Sequence, residues 1–233
     1  MNLNRALVLI ALLLLAIPAF AEQDYVARYD VYAGYQFLNS NTVNMFQNGF
    51  HFQAGVKPRK WYALGFDYSR SDGMLTITPD LLTTQLQQQL GGMMQQLAAA
   101  GMLPPGYQLK LDADATTQTF AAGPQLTYRH FSHLTMFVRP SLGAIQEVAR
   151  LQPSDAITKI AVAALAPEGT KTDWTYFYGF GGGFDVIASH HFALRVQADY
   201  VRNHLFSDTM ANSRNTVRFS IGPAFSFGKP IER

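Results

Sequence analysis

Six histidines and no cysteine limit the chemistry open to this sequence. Without thiols there is no Cys nucleophile, no sulfur-ligated metal and no disulfide framework. Histidine and serine come together twice, at His130-Phe131-Ser132 and at His204 and Ser207. A serine nucleophile needs a general base and a third group that orients the base. Neither pair has an acidic partner at a spacing that defines a triad, so no catalytic residue is assigned. His190 and His191 are adjacent, and in a strand their side chains point to opposite faces. That is not the convergent spacing of a metal site, so neither metal nor cofactor is expected. The other titratable residues of interest are Arg28, Asp30, His51, Asp67, Arg129, Arg139, Asp185, Arg195, Asp199 and Arg218. They are scattered singly, and their meaning depends on the elements that carry them.

Composition narrows those elements. Eighteen basic residues against sixteen acidic give a formal charge of +2, not the basic excess of a nucleic-acid binder. Only 15% of residues are charged, too few to cover a soluble surface of this size. Residues 1–21 read as a secretory signal: Arg5, the apolar run 6–20, and Ala19-Phe20-Ala21 as a small-x-small cleavage site. That run is too short for a membrane helix. No later stretch is apolar enough to span as a helix, so any spanning by residues 22–233 must use strands.

Period-2 alternation is the dominant pattern after the signal. In 25–37, Tyr25, Ala27, Tyr29, Val31, Ala33, Tyr35 and Phe37 alternate with Val26, Arg28, Asp30, Tyr32, Gly34 and Gln36. Seven further segments repeat it, near 50–57, 62–69, 120–129, 136–145, 176–186, 192–201 and 217–227. Links at 58–60, 130–133 and 188–190 are tight; the others are longer, above all about 73–115 and 149–171. Eight strands with short turns on one side and long loops on the other predict a closed up-and-down antiparallel barrel.

Two barrels fit that alternation. A soluble one buries the apolar face, whereas a membrane one turns it toward lipid and keeps a polar interior. Three features favour the second. The polar face is rich in glycine (Gly34, Gly55, Gly65, Gly123, Gly143, Gly179, Gly181, Gly183, Gly222), which makes room for long charged neighbours in a narrow lumen. Aromatics on the apolar face cluster near both strand ends, as two membrane interfaces require. The strands also exceed the roughly 9–11 residues that a tilted membrane strand needs.

With its signal segment, eight alternating strands, loop asymmetry and aromatic-rich last strand at 217–227, the sequence resembles the small bacterial outer-membrane β-barrels of OmpA/OmpX type. The resemblance covers Gln23 to Phe227 and rests on pattern more than on a sharp motif. It implies a bacterial outer-membrane location with both termini periplasmic. The implied partners are outer-membrane lipid, lipopolysaccharide and the barrel-assembly machinery. Six residues follow Phe227, where the group often ends on an aromatic, so the assembly signal is expected to be internal. No peptidoglycan-binding domain, and so no cell-wall anchoring, is expected. Some outer-membrane barrels modify lipid A with Ser and His. Here His130 and Ser132 fall in a periplasmic turn, and no enzyme is expected.

The inward charges must pair, since an unpaired buried ion costs several kcal/mol. A turn symmetric about Arg59 sets His51 directly opposite Asp67, and one near Ser189 makes Asp185 and Arg195 diagonal neighbours. A packed polar core and a narrow pore remain the two readings of the lumen. In the long loops, 79–101 reads as a helix with Leu82, Leu86, Leu90, Met94 and Leu97 as a stripe, kinked or split at Gly91-Gly92. A second helix is expected at 154–165, capped by Ser154, with Ile157 and Ile160 on its apolar side. These apolar faces either close over the barrel mouth or form an extracellular interaction surface for a protein or surface ligand. The function expected is that of a non-enzymatic outer-membrane barrel working through its extracellular loops. The alternatives are a narrow passive pore and a lipid A-modifying enzyme.

Overall fold

A computed structural model describes residues 25–40, 42–212 and 214–231; the signal segment read at 1–21 lies outside them. Eight strands run in chain order: β1 (Ala27–Ser40), β2 (Met45–Arg59), β3 (Tyr62–Ile77), β4 (Leu111–Tyr128), β5 (Leu134–Gln152), β6 (Thr170–Ile187), β7 (Phe192–Asn203) and β8 (Arg214–Pro230). Each pairs antiparallel with its neighbours, and β1 meets β8 to close the barrel. Closure leaves no strand edge, so the backbone polar groups of the sheet are satisfied within it. No described helix is long and apolar enough to cross a membrane. Short links (60–61, 129–133, 188–191) lie at one end. Longer ones (78–110, 153–169, 204–213) lie at the other, together with a four-residue link at 41–44.

The strands reach well beyond their apolar segments, up to 19 residues in β5, because alternation continues past the point where its chemistry inverts. Lower in the barrel, Phe66, Phe180, Phe192 and Phe219 face outward and are exposed, while Asp67, Arg195 and Arg218 face inward and are buried. Toward the long-loop end the outward positions become Arg70, Asp72, Asp112 and Asp114, all exposed. The inward ones there become Leu75, Ile77, Leu111 and Ala113, all buried. One pleat thus carries two patterns: apolar outside and polar inside lower in the barrel, polar outside and apolar inside toward the long loops.

The inverted upper segment forms a cup with an apolar interior. Leu82, Leu205, Phe206 and Met210 from the long loops fill it against Leu38, Met45 and Leu75. Leu82 and Met210 form an isolated β-bridge, flanked by Thr83 N–H donating to the Thr209 carbonyl at 2.9 Å and Ala211 N–H to that of Leu81 at 3.0 Å.

Two helices complete this end. A single 3-10 turn at Pro79–Leu81 precedes α1 (Thr84–Ala99), so the 79–101 segment does not start as one helix. The helix continues through Gly91 and Gly92 without splitting; a Cβ at either would meet open space. α2 (Ala156–Leu165) is capped by Asp155, not Ser154. Asp155 Oδ1 accepts from the Thr158 amide at 2.7 Å, and the Thr158 hydroxyl accepts from the Asp155 amide at 2.9 Å. This reciprocal box satisfies two donors, where a serine one residue earlier would satisfy none.

Two registers differ from the symmetric-turn expectation. An irregularity between Val56 and Arg59 recentres the β2–β3 turn by one residue, so Gln53, not His51, lies opposite Asp67. Across β6–β7, Asp185 and Arg195 are directly opposite instead of diagonal. Where β1 meets β8, a bulge at Gly228 (φ +96°) inserts one extra residue. Ala27 there is buried and Arg28 exposed, so Arg28 is not a lumen residue. Arg28 and Tyr29 are both exposed, so the alternation of β1 fails where its register against β8 shifts.

Candidate functional site

Below the cup the lumen is a stack of charge layers. Nearest the short-turn end, Arg195 grips Asp185 with two bonds, Nε to Oδ1 at 2.7 Å and Nη2 to Oδ2 at 2.9 Å. Arg195 Nη2 also reaches Asp30 Oδ2 at 3.1 Å, and Lys57 Nζ lies 3.5 Å from Asp30 Oδ1. The rings of Phe137 and Tyr32 lie 5.0 and 5.5 Å from the Arg195 guanidinium carbon, a cation–π setting for a desolvated arginine. Arg129, half-buried, donates to the Lys60 carbonyl at 2.9 Å and the Thr135 hydroxyl at 3.2 Å.

The middle layer joins five strands. Asp67 and Asp199 sit between Arg139 and Arg218: Asp67–Arg139 at 2.8 Å, Asp67–Arg218 at 3.3 Å, Asp199–Arg218 at 2.9 Å and Asp199–Arg139 at 3.3 Å. His51, though diagonal in register, donates from Nε2 to Asp67 Oδ2 at 2.6 Å. Its Nδ1 therefore accepts, from the Ser220 hydroxyl and the Gln197 amide, each at 3.0 Å. Gln53 bridges the two layers, accepting from Arg195 at 2.9 Å and donating to Gln197 at 3.1 Å and Asp67 at 3.1 Å.

Above them, Arg214 meets Glu147 at 2.5 Å, with the sulfurs of Met45 and Met210 at 3.8 and 3.7 Å. This pair marks the passage from polar lumen to apolar cup. Enclosed space here is slight. A void of about 10 Å³ lies beside Glu147 and Arg214, and one of about 30 Å³ lies in the cup between Leu82 and Phe206. Each is on the scale of a single water.

Of the lumen residues read from sequence, Asp30, His51, Asp67, Arg139, Asp185, Arg195, Asp199 and Arg218 are buried in this stack, Arg129 lies at its short-turn mouth, and Arg28 is outside it. Missing from that reading are Lys57, Glu147 and Arg214. Lys57 shares the parity of His51 and could have been found. Glu147 and Arg214 lie where the alternation has already inverted.

The contacts Ser220–His51–Asp67 follow the order of a catalytic triad, but the arrangement is a packed one. Ser220, His51 and Asp67 are each at most 3% exposed, and two arginines already neutralise the aspartate. No described group of His, Asp or Glu residues could hold a metal ion.

The loop residues read as an interaction surface mostly face inward. Leu82, Leu90 and Ile157 are buried, Leu86 and Met94 are half-buried against the cup, Leu97 is half-buried, and Ile160 alone is exposed. The outer face of α1 is instead glutamine: Gln85, Gln88, Gln89, Gln95 and Gln96 are all exposed.

A closed eight-stranded barrel with a polar lumen, an aromatic-rich outer belt and an elaborated long-loop end defines the class of small transmembrane β-barrels. No protein-family model matches the chain, and no curated protein matches it. Solved structures do. Neisserial surface protein A (NspA) superposes with a TM-score of 0.52 at 11% identity, over 85% of this chain and 96% of its own. The outer membrane protein OprG from Pseudomonas aeruginosa gives 0.50 at 8% identity, over 89% of this chain and 99% of its own. Each likeness is one of fold.

Proposed function

We propose that this chain is a non-enzymatic integral protein of the bacterial outer membrane, closed to solutes, that works through its long-loop end. In this reading the short turns and both termini are periplasmic, and the cup and helices stand outside the cell. The belt of exposed Phe, Tyr and Trp side chains meets outer-membrane lipid. The polar collar carrying Arg70, Asp72, Asp112 and Asp114 meets lipopolysaccharide headgroups. Insertion then requires the barrel-assembly machinery. The similar structures are those of a surface protein and an outer membrane protein, which is consistent with this location.

The observation that carries the closed state is the filled lumen. Charge layers and apolar cup are stacked in series, with single-water voids between them. An ion would have to break several buried pairs, each costly to leave half-made. Refolded protein in planar bilayers is therefore expected to show no unit conductance; a reproducible unitary step would overturn the reading. Lipid A mass spectra should be unchanged on overexpression, and a new or missing acyl chain would restore the enzyme reading. With the apolar loop faces turned inward, the glutamine face of α1 and the exposed Ile160 are the surface offered to an extracellular protein or surface ligand.

A further inference from the structure

The short-turn end holds a feature that this reading leaves unused: an open cavity of about 350 Å³ below the Arg195–Asp185 layer. Lys57, Arg129, Asp185, His133, His190 and His191 are among its lining residues. We propose that this vestibule is a binding site for a phosphate group, carried either by a soluble phosphate ester or by a lipid headgroup.

Charge is the first argument. Asp185 is held by Arg195 through both oxygens, and Asp30 is divided between Arg195 and Lys57. Among the described residues that line the cavity, Lys57 and Arg129 are cationic, and Asp185 is already neutralised by Arg195. The Lys57 side chain is 6% exposed, and a desolvated ammonium favours a close anion. Donor capacity is the second argument. An ammonium has three N–H groups, yet Lys57 reaches its described partners only at 3.5 Å, to Asp30, and 3.4 Å, to the Ser226 hydroxyl. Both are long for charged bonds, so an oxyanion seated below Lys57 would gain a shorter one.

The rim is the third argument. The Ser132 hydroxyl lies 2.7 Å from His133 Nδ1, and His191 Nδ1 donates to the Ser226 carbonyl at 2.9 Å. His190 and His191 lie in the turn between β6 and β7 and not in a strand, so instead of pointing to opposite faces both pack edge-on to Tyr25. Three imidazoles thus ring the opening, each with ring nitrogens that can hydrogen-bond an oxyanion. The cavity is several times larger than a phosphate group, which leaves room for an attached organic part. Its level matches that of Tyr128 and Phe192, at the short-turn ends of their strands, where headgroups lie.

The test uses the full barrel, refolded in a phosphate-free maltoside detergent, with histidine side-chain nitrogens as the NMR probe. Titration with inorganic phosphate and with glycerol 3-phosphate is expected to shift the His133, His190 and His191 signals saturably. Lys57→Gln and Arg129→Gln should each weaken binding about tenfold or more, as for loss of a charged hydrogen bond. Heat-modifiable migration checks that each variant is folded. His191→Gln, at an exposed position, provides a variant with little risk to the fold and should also weaken binding.

A second arm places the protein in phosphatidylglycerol vesicles. Signals already at their phosphate-bound positions, and unmoved by added phosphate, identify the lipid headgroup as the source. Signals that match the detergent state until glycerol 3-phosphate is added identify a soluble ester. No shift in either medium, or equal shifts in wild type and the Lys57 and Arg129 variants, overturns the proposal.

Discussion

Arg218 lies 2.9 Å from Asp199 and 3.3 Å from Asp67, with the Ser69 hydroxyl at 3.2 Å, and is 2% exposed. Replacing it by leucine leaves two carboxylates that Arg139 alone must neutralise. Removing one partner of a buried pair costs about 3–5 kcal/mol. Urea unfolding of Arg218→Leu in detergent should show a loss on that scale, and a loss below about 1 kcal/mol would mean that water already screens the layer. Glycine matters at this scale too, in two ways. A Cβ at Gly181 would lie 1.8 Å from Asp199 Oδ1, so this glycine makes room for the charge layer. A Cβ at Gly222 would lie 2.3 Å from the Ala33 carbonyl oxygen and 2.4 Å from Gly34 Cα, so that glycine permits β8 to approach β1. Backbone cannot yield as a side-chain tip can. Gly222→Ala is expected to destabilise by about 1–3 kcal/mol, measured by the same unfolding curve.

Among the elements, α2 offers a pH-dependent test. The Thr158 backbone N–H, aided by the Tyr107 hydroxyl 2.9 Å from Oδ2, holds the Asp155 carboxyl below the usual carboxylate range. A carboxylate whose folded pKa is lowered contributes stability that is fully present above its unfolded pKa. That contribution is lost as pH falls through the folded value. Amide protection of α2 in hydrogen exchange should therefore be constant at neutral pH and decline on acidification below the carboxylate range. Asp155→Asn keeps a cap without the charge and should flatten that profile, whereas Asp155→Ala should lower protection at every pH. An unchanged profile in Asp155→Asn would show that another group controls the helix. α1 has the opposite character: it carries no charge and buries only Leu90. Its sequence stripe is real, but it packs downward because the cup beneath it is also apolar.

For the molecule as a whole, eight continuous ladders carry the fold, and the helices take no part in them. Replacing residues 84–99 by a short polar linker should leave heat-modifiable migration intact. Loss of that migration would mean that the cup is needed for closure. Strand number, order and the division of residues into two faces were legible in the sequence, because a two-residue repeat cannot be satisfied any other way over so many segments. That is why Asp67, Arg139, Asp199 and Arg218 could be grouped before any contact was visible. Strand ends were not legible. The apolar outer face of β4 ends at Phe120, beyond which the outward side chains become Gln118, Thr116, Asp114 and Asp112 while the pleat continues to Leu111. Arg28 was misassigned because alternation in β1 fails between Ala27 and Asp30, where the register against β8 shifts. Register was decided by the turn after Val56, so that His51 meets Asp67 only on the diagonal.

By itself, then, the sequence determined that eight strands alternate, that the charges of their apolar-faced segments lie on the opposite face, and that the long loops carry apolar stripes. Tertiary structure alone decided which charges touch, since pairing needs strands far apart in the chain, as Arg214 with Glu147 shows. It also decided that the loop stripes turn inward, because whether an apolar face meets solvent depends on what lies beneath it, and here that is a cup made by the inverted ends of the strands.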